Sequence, residues 1–234
     1  RNNIRLEMVT ILPEHLCPAN RDDAPGSSGR LPGMARAALI CVLVFAFLAW
    51  RLHVGGLVTF DSAITGWVRA DITPGLTCWM ILITDLGNLG FVTVLTTLTA
   101  LFLFACREWG EGLGVAAASL SSWLLYSCLK LVFQRPRPDL PQLVPAGGYS
   151  FPSGHATVTA ALFFTMGMIY CHHTGYRTGR SMILAAAALL VLLVGVSRVY
   201  LGVHYPGDVV AGWAAGGFVA LVVAMLLRLD SRAS

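Results

Sequence analysis

Three short blocks of this chain carry residues that can do chemistry together. They are Lys130 followed by Arg137-Pro138, then Pro152-Ser153-Gly154-His155, then Ser197-Arg198 followed by His204 and Asp208. Between them they supply fixed cations, two imidazoles and a carboxylate. That set suits an ionised phosphate group passed through a histidine. Arg137 and Arg198 have planar forks that match phosphate oxygens, and Lys130 adds a point charge. Ser153 stands where it would cap a helix, with the Gly154 and His155 N–H groups at the positive helix end. Gly154 has no Cβ and lets backbone approach an anion. His204 and Asp208 are four residues apart, with Pro206 suited to a first helical turn between them. Asp208 then accepts a hydrogen bond from one imidazole nitrogen of His204 and leaves the other free to attack phosphorus. His155 is the candidate general acid for the departing oxygen. No cluster of carboxylates suggests a metal, and the cations supply equivalent charge stabilisation, so no cofactor is expected.

Each piece alone has an ordinary reading. An arginine anchors a helix at a membrane interface, Pro-Ser-Gly makes a turn and cap, and an aspartate in a first turn opposes the helix dipole. The set becomes informative because all of it falls at the ends of apolar segments on one side of a membrane.

Those segments dominate the composition. The chain has 234 residues, 56% hydrophobic and 12% charged, with mean hydropathy +0.70. Soluble domains carry about 25% charged residues, so an all-α integral membrane protein is expected. Six apolar runs follow one another: Arg36 to Arg51 (extending through His53 toward Val58), Leu86 to Cys106, Gly112 to Leu129, Ala156 to Cys171, Ser181 to Ser197 and Val209 to Leu227. Each is long enough, with its flanks, to cross a bilayer as a helix. Small residues such as Gly212 and Ala214 to Gly217 allow close helix packing. Phe60 to Asp71 reads as a short interfacial helix, with Ile64, Trp67 and Val68 on one face. Ile72 to Thr84 either leads into the second span or lies in the interface.

Six crossings put both termini on one side. Once the motif cations are set aside, Arg30, Arg36, Arg107, Arg177, Arg180, Arg228 and Arg232 on the termini side outnumber Arg51, Arg69 and Arg135 opposite. The positive-inside rule then makes the termini cytoplasmic and turns the motifs toward a periplasm or lumen. The net charge of +4 is thinly spread, without a basic run, which argues against nucleic acid as a partner. The six cysteines form no C-x-x-C pair and read as small buried hydrophobes, not as a disulfide framework or zinc site. Residues 1–33, with four prolines and a Gly-Ser-Ser-Gly run, read as a flexible tail or a gene-model artefact. The domain proper is then 34–230.

The three blocks closely resemble the signature of the type 2 phosphatidic acid phosphatase family, related to vanadium haloperoxidases and glucose 6-phosphatase. That signature is Lys, six residues, Arg-Pro; Pro-Ser-Gly-His; and Ser-Arg, five residues, His, three residues, Asp. Lys130, Arg137, Pro138, Pro152 to His155, Ser197, Arg198, His204 and Asp208 match every position. Arg135-Pro136 falls at the wrong spacing and is set aside. The resemblance implies a metal-independent phosphatase with a phosphohistidine on His204, His155 as general acid and Asp208 as partner of His204. It implies phosphate binding by Lys130, Arg137, Ser153, Gly154 and Arg198. It also implies a bacterial inner-membrane enzyme acting on a lipid phosphate such as undecaprenyl pyrophosphate, phosphatidylglycerophosphate or phosphatidate. Alternatives are a phosphotransferase using another acceptor, or a non-catalytic transporter or scaffold. The latter would be expected to have lost His155 or His204. Asp85, beside Gly87 and Asn88, either caps a helix or tunes head-group choice.

Overall fold

The computed structural model describes residues 31–174 and 177–229; the tail reading of residues 1–33 lies outside them up to residue 30, while residues 31–33 belong to the first helix. The described residues form eight helices: α1 Leu31–His53, α2 Val58–Val68, α3 Pro74–Asp85, α4 Leu89–Ala105, α5 Trp109–Phe133, α6 Gly154–His173, α7 Arg177–Tyr200 and α8 Pro206–Leu226. Five of these are long and apolar enough to cross a membrane, and there are six such spans if α3 and α4, which meet at a 45° bend, count together as one. The all-α membrane-bundle reading of the sequence holds, with five to six candidate spans and two changes of detail. The first span gains its length toward the N-terminus, since α1 begins at Leu31 and ends at His53 instead of running on to Val58. Ile72 to Thr84 is the first limb of the bent span.

The bend has local causes. Thr73 caps α3 by accepting from the Leu76 N–H at 3.3 Å, with Pro74 at the first helical position. Asn88 starts α4 afresh by accepting from the Gly90 N–H at 2.9 Å. Asn88, not Asp85, is thus the cap at this break. Between them Gly87 packs closely on α6 and α7: a Cβ there would lie 2.9 Å from the His155 ring and from Val194.

Most large side chains on the outer surface are exposed and apolar, among them Leu39, Leu43, Phe47, Leu98, Leu131 and Met182. This is an inside-out arrangement for water but the expected one for lipid. Trp50 and Trp67 mark one end of the bundle and Trp109 the other, as interfacial tryptophans do. Cys78 and Cys128 sit on that outer surface, and Cys41, Cys78, Cys128 and Cys171 are free. Cys106 is disulfide-bonded, so the cysteines are not uniformly buried hydrophobes. On α2, Trp67 is exposed while Asp61 is buried and Val68 packs inward.

The interior is built from small residues. Helices α6 and α8 make the most extensive contact in the fold. Gly212 faces the Ser153 carbonyl, and Gly216 faces the Thr157 carbonyl and Ala160. A Cβ on Gly216 would lie 2.8 Å from the Ala160 Cβ and 3.0 Å from the Ala161 nitrogen, which are rigid neighbours. Gly216→Val must therefore push α6 and α8 apart, at a cost of about 1–3 kcal/mol. The expected result is a lower thermal midpoint in detergent, measured by the temperature at which half of the protein aggregates.

Candidate active site

The three blocks meet at one end of the bundle. Lys130 lies in the last turn of α5, Ser153 precedes α6, Arg198 lies in the last turn of α7, and Asp208 is in the first turn of α8. The long connection between α5 and α6 folds over them. At the opposite end, Glu111 pairs with His173 Nε2 at 2.9 Å. The site end encloses a cleft of about 260 Å³ lined by Lys130, Arg137, Gly154, His155, Arg198 and His204, with Gly87, Leu89, Tyr126 and Val158 beside them. Among the described residues no group of three His, Cys, Asp or Glu side chains converges as a metal site.

His204 is 2% exposed. Its Nδ1 faces Ser150 Oγ at 3.2 Å and Asp208 Oδ2 at 3.5 Å, and Ser150 Oγ donates to the same Oδ2 at 2.5 Å. The expected Asp208–His204 contact is present but long, and the Ser150 hydroxyl bridges it. The Tyr205 N–H also donates to Oδ2 at 3.0 Å, so Asp208 is held from its own helix end. Nε2 of His204 faces the cleft, 3.4 Å from Arg137 Nη1. Burial pushes the His204 imidazole down to about 4; Arg198 and Arg137 add to that effect and the Asp208 hydrogen bond opposes it. The ring is then neutral at pH 7. A neutral ring with Nδ1 facing Asp208 carries its proton on Nδ1 and a lone pair on Nε2.

The cations are held in different ways. Arg137 donates to the carbonyls of Gly147 at 2.6 Å, Gly148 at 3.1 Å and Val203 at 2.7 Å. Its fork is thus mainly engaged with backbone, and it delivers charge more than an open bidentate grip. Lys130 Nζ donates to the Tyr149 carbonyl at 2.5 Å and lies 5.9 Å from the Tyr126 ring. Arg198 is 6% exposed and donates from Nη1 to Thr84 Oγ1 at 2.8 Å. Its Nε has no hydrogen-bond partner among the described residues, and neither does the fully buried Ser153 Oγ. Buried polar atoms are nearly always paired; Thr65 Oγ1 and Thr165 Oγ1 are also unpartnered among the described residues, and of the four it is Arg198 that lines the cleft and Ser153 that directly precedes the cleft residues Gly154 and His155. Ser153 occupies the N-cap position without making the side-chain cap expected from sequence. Gly154 does allow close approach, but the neighbour is the Tyr126 ring, whose nearest atom would lie 3.0 Å from a Cβ.

Sequence reasoning missed several contributors. Arg135, set aside for its spacing, donates to Asp208 Oδ1 and to Asp61 Oδ2, both at 2.6 Å. Asp61 is 2% exposed, the one charged residue of helix α2. Both had a signal: the doubled Arg-Pro, and an aspartate that polarity alone does not explain. Ser150 and Thr84 had none, because nothing in a chain marks which hydroxyl will meet a distant histidine or arginine.

The PAP2 superfamily model matches residues 111–231, which include all three blocks. Phosphatidylglycerophosphatase B of Bacillus subtilis is 32% identical over 74% of this chain and 86% of its own length. The chain belongs to the PAP2 superfamily. It is an integral membrane enzyme of a phosphatase family, as the spans and relatives together show. The crystal structure of a transmembrane PAP2-type phosphatidylglycerolphosphate phosphatase from Bacillus subtilis superposes with TM-score 0.77 at 30% identity, covering 82% of this chain and 96% of that one. A more distant superfamily relative, lipid A 1-phosphatase of Rhizobium etli, is 35% identical over 45% of this chain and 45% of its own.

Proposed function

We propose that this PAP2 member hydrolyses a lipid phosphate through a phosphohistidine on His204. The observation that carries the reading is the convergence, in one cleft at a membrane face, of His204, His155 and three cations beside two unpartnered buried polar groups. In the first half-reaction Nε2 of His204 bonds to phosphorus, the bond to the lipid oxygen breaks, and His155 donates a proton to that oxygen. In the second, His155 takes a proton from water as the water oxygen bonds to phosphorus and the P–N bond breaks. Inorganic phosphate leaves and His204 is regenerated. Ser153 Oγ, Arg198 Nε and the Gly154 N–H bind the phosphate oxygens, while Arg137 and Lys130 balance their charge. Asp208 holds the Nδ1 proton and steadies the cationic ring of the intermediate.

The relatives favour a lipid with a small head group. Phosphatidylglycerophosphatase B matches along most of its length, whereas lipid A 1-phosphatase and decaprenylphosphoryl-5-phosphoribose phosphatase match over shorter stretches. Apolar Leu89 and Val158 at the cleft suit acyl chains left in the bilayer. Arginine excess on the termini side supports cytoplasmic termini and a site on the outer face of a bacterial inner membrane.

The test is phosphate release from phosphatidylglycerophosphate, phosphatidate and undecaprenyl pyrophosphate by the detergent-purified chain, with EDTA and no acceptor but water. Release is expected, fastest on phosphatidylglycerophosphate. Release only after a sugar or lipid acceptor is added would replace hydrolysis by phosphotransfer.

A further inference from the structure

Behind His204 lies a charged chain of which the proposed mechanism uses only Asp208. Arg135 joins two carboxylates, Asp208 from α8 and Asp61 from α2, with one guanidinium nitrogen on each at 2.6 Å. All three are shielded, with side-chain exposures of 10%, 0% and 3% for Arg135, Asp208 and Asp61. The Tyr205 ring covers the guanidinium at 3.9 Å. The network is also tied to the backbone around His204. The Arg135 carbonyl accepts from the Ser150 N–H at 2.8 Å, and Asp61 Oδ1 accepts from the Gly207 N–H at 2.8 Å. Thus Arg135 holds Asp208 by its side chain and Ser150 by its backbone, and both of those partners face His204 Nδ1.

Charge balance explains why two carboxylates are present. When Nε2 of His204 bonds to phosphorus, the imidazole gains positive character. A negative charge behind Nδ1 stabilises that ring. Arg135 alone would orient Asp208 but cancel its charge. Asp61 returns the group to a net charge of minus one. A bridge serving only to join α2 to α8 has no need to end on the partner of a nucleophile.

We propose that Asp61 and Arg135 are positioning residues for the phosphoryl-transfer step: Arg135 fixes the Asp208 carboxylate, and Asp61 restores the negative charge that lets His204 become cationic. The inference rests on the reading of His204 as nucleophile. The charged and titratable groups that face His204 are Asp208 from α8, Arg198 from α7, His155 from α6, Lys130 from α5, and Arg137 from the connection. Against that constant background, changes at Asp61 and Arg135 have opposite signs. Asp61→Asn keeps one acceptor, for the Gly207 N–H, but loses the acceptor for Arg135 and a negative charge, so protonation of His204 becomes harder. Arg135→Gln removes a positive charge, so it becomes easier.

The experiment follows phosphate release from phosphatidylglycerophosphate across the acid range, using the full chain in detergent, with His204→Ala as control. Asp61→Asn is expected to lower kcat roughly tenfold with KM unchanged, and to move the acid limb of kcat/KM to lower pH. Arg135→Gln is expected to move that limb to higher pH. Arg135→Lys, which keeps the charge but loses the fork, is expected to leave the limb near its wild-type position while kcat falls. Asp61→Asn alone decides the sign if Arg135→Gln proves too unstable to purify. Lower thermal midpoints with an unchanged pH profile would make the network a purely structural bridge and overturn the inference. Phosphate release that survives in His204→Ala would instead overturn the nucleophile reading and this inference with it.

Discussion

Replacing His204 by alanine is expected to abolish EDTA-resistant phosphate release, by about 10⁴-fold or more. The reason is geometric as well as chemical. Nε2 of His204 looks into the cleft, while Nδ1 is engaged with Ser150 and Asp208 behind it. Among the described residues, no other uncharged nitrogen in the cleft has a carboxylate placed behind it. His155 shares the cleft, but its ring packs against Gly87 at the bend of α3 and α4. Burial pushes the His204 imidazole down to about 4, so a neutral ring, as the proposed nucleophile requires, is present at pH 7 without a separate base. The decisive measurement is acid- and alkali-quenched labelling with lipid carrying radioactive phosphate. Wild type is expected to trap an alkali-stable, acid-labile phosphoenzyme, and His204→Ala is expected to trap none. An equal yield of phosphoenzyme in the variant would move the nucleophile to another residue, His155 first.

Arg198→Ala carries the second large effect, about 10²- to 10³-fold in kcat/KM, the scale for removing a preorganised donor to a developing oxyanion. Arg198 is the cation whose fork is least engaged by the protein. One nitrogen reaches Thr84 Oγ1 at 2.8 Å, and Nε is buried without a partner next to the cleft. On the proposed reading a phosphate oxygen would satisfy that donor and offset the desolvation penalty of an unpaired buried group. Arg198→Lys is not expected to rescue, because one ammonium cannot hold Thr84 and a phosphate with the geometry of a planar fork. Inhibition by vanadate separates binding from folding. The alanine variant should lose vanadate affinity in step with kcat/KM, whereas Thr84→Val, which removes only the anchoring bond, should lose a few-fold. If Arg198→Ala retained full vanadate affinity, the unpartnered Nε would belong to packing and not to the substrate site.

Both of these residues stand out in the sequence, and the reasons are physical. Signature spacing is short-range. His204 and Asp208 are four residues apart around a proline that starts a helix, so local geometry alone brings them to one end of α8. Arg198 closes an apolar run and so falls at the same membrane face. Membrane spans are equally local, since twenty apolar residues with satisfied backbone can only be a helix in lipid. Even so, the bend between α3 and α4 is ambiguous in the sequence, because an apolar stretch of thirteen residues fits a half-span and an interfacial helix alike. Packing resolves it through Gly87, which has to fit between the His155 ring and Val194.

The class of the molecule, most of its spans and the gathering of the motifs at one end of the bundle all follow from composition and short-range spacing. The groups that finish the site do not, because their partners are remote along the chain. Asp61 reaches Arg135 across 74 residues, Ser150 reaches His204 across 54, and Arg198 reaches Thr84 across 114. Such pairings are set by how helices pack, and α8 settles against α6 on glycines that place Asp208 beside Ser150 and Arg135. A buried charge also takes its meaning from its partners. Along the chain Arg135 is a misplaced repeat of a motif, and it becomes the link between two carboxylates only once α2 folds over the start of α8.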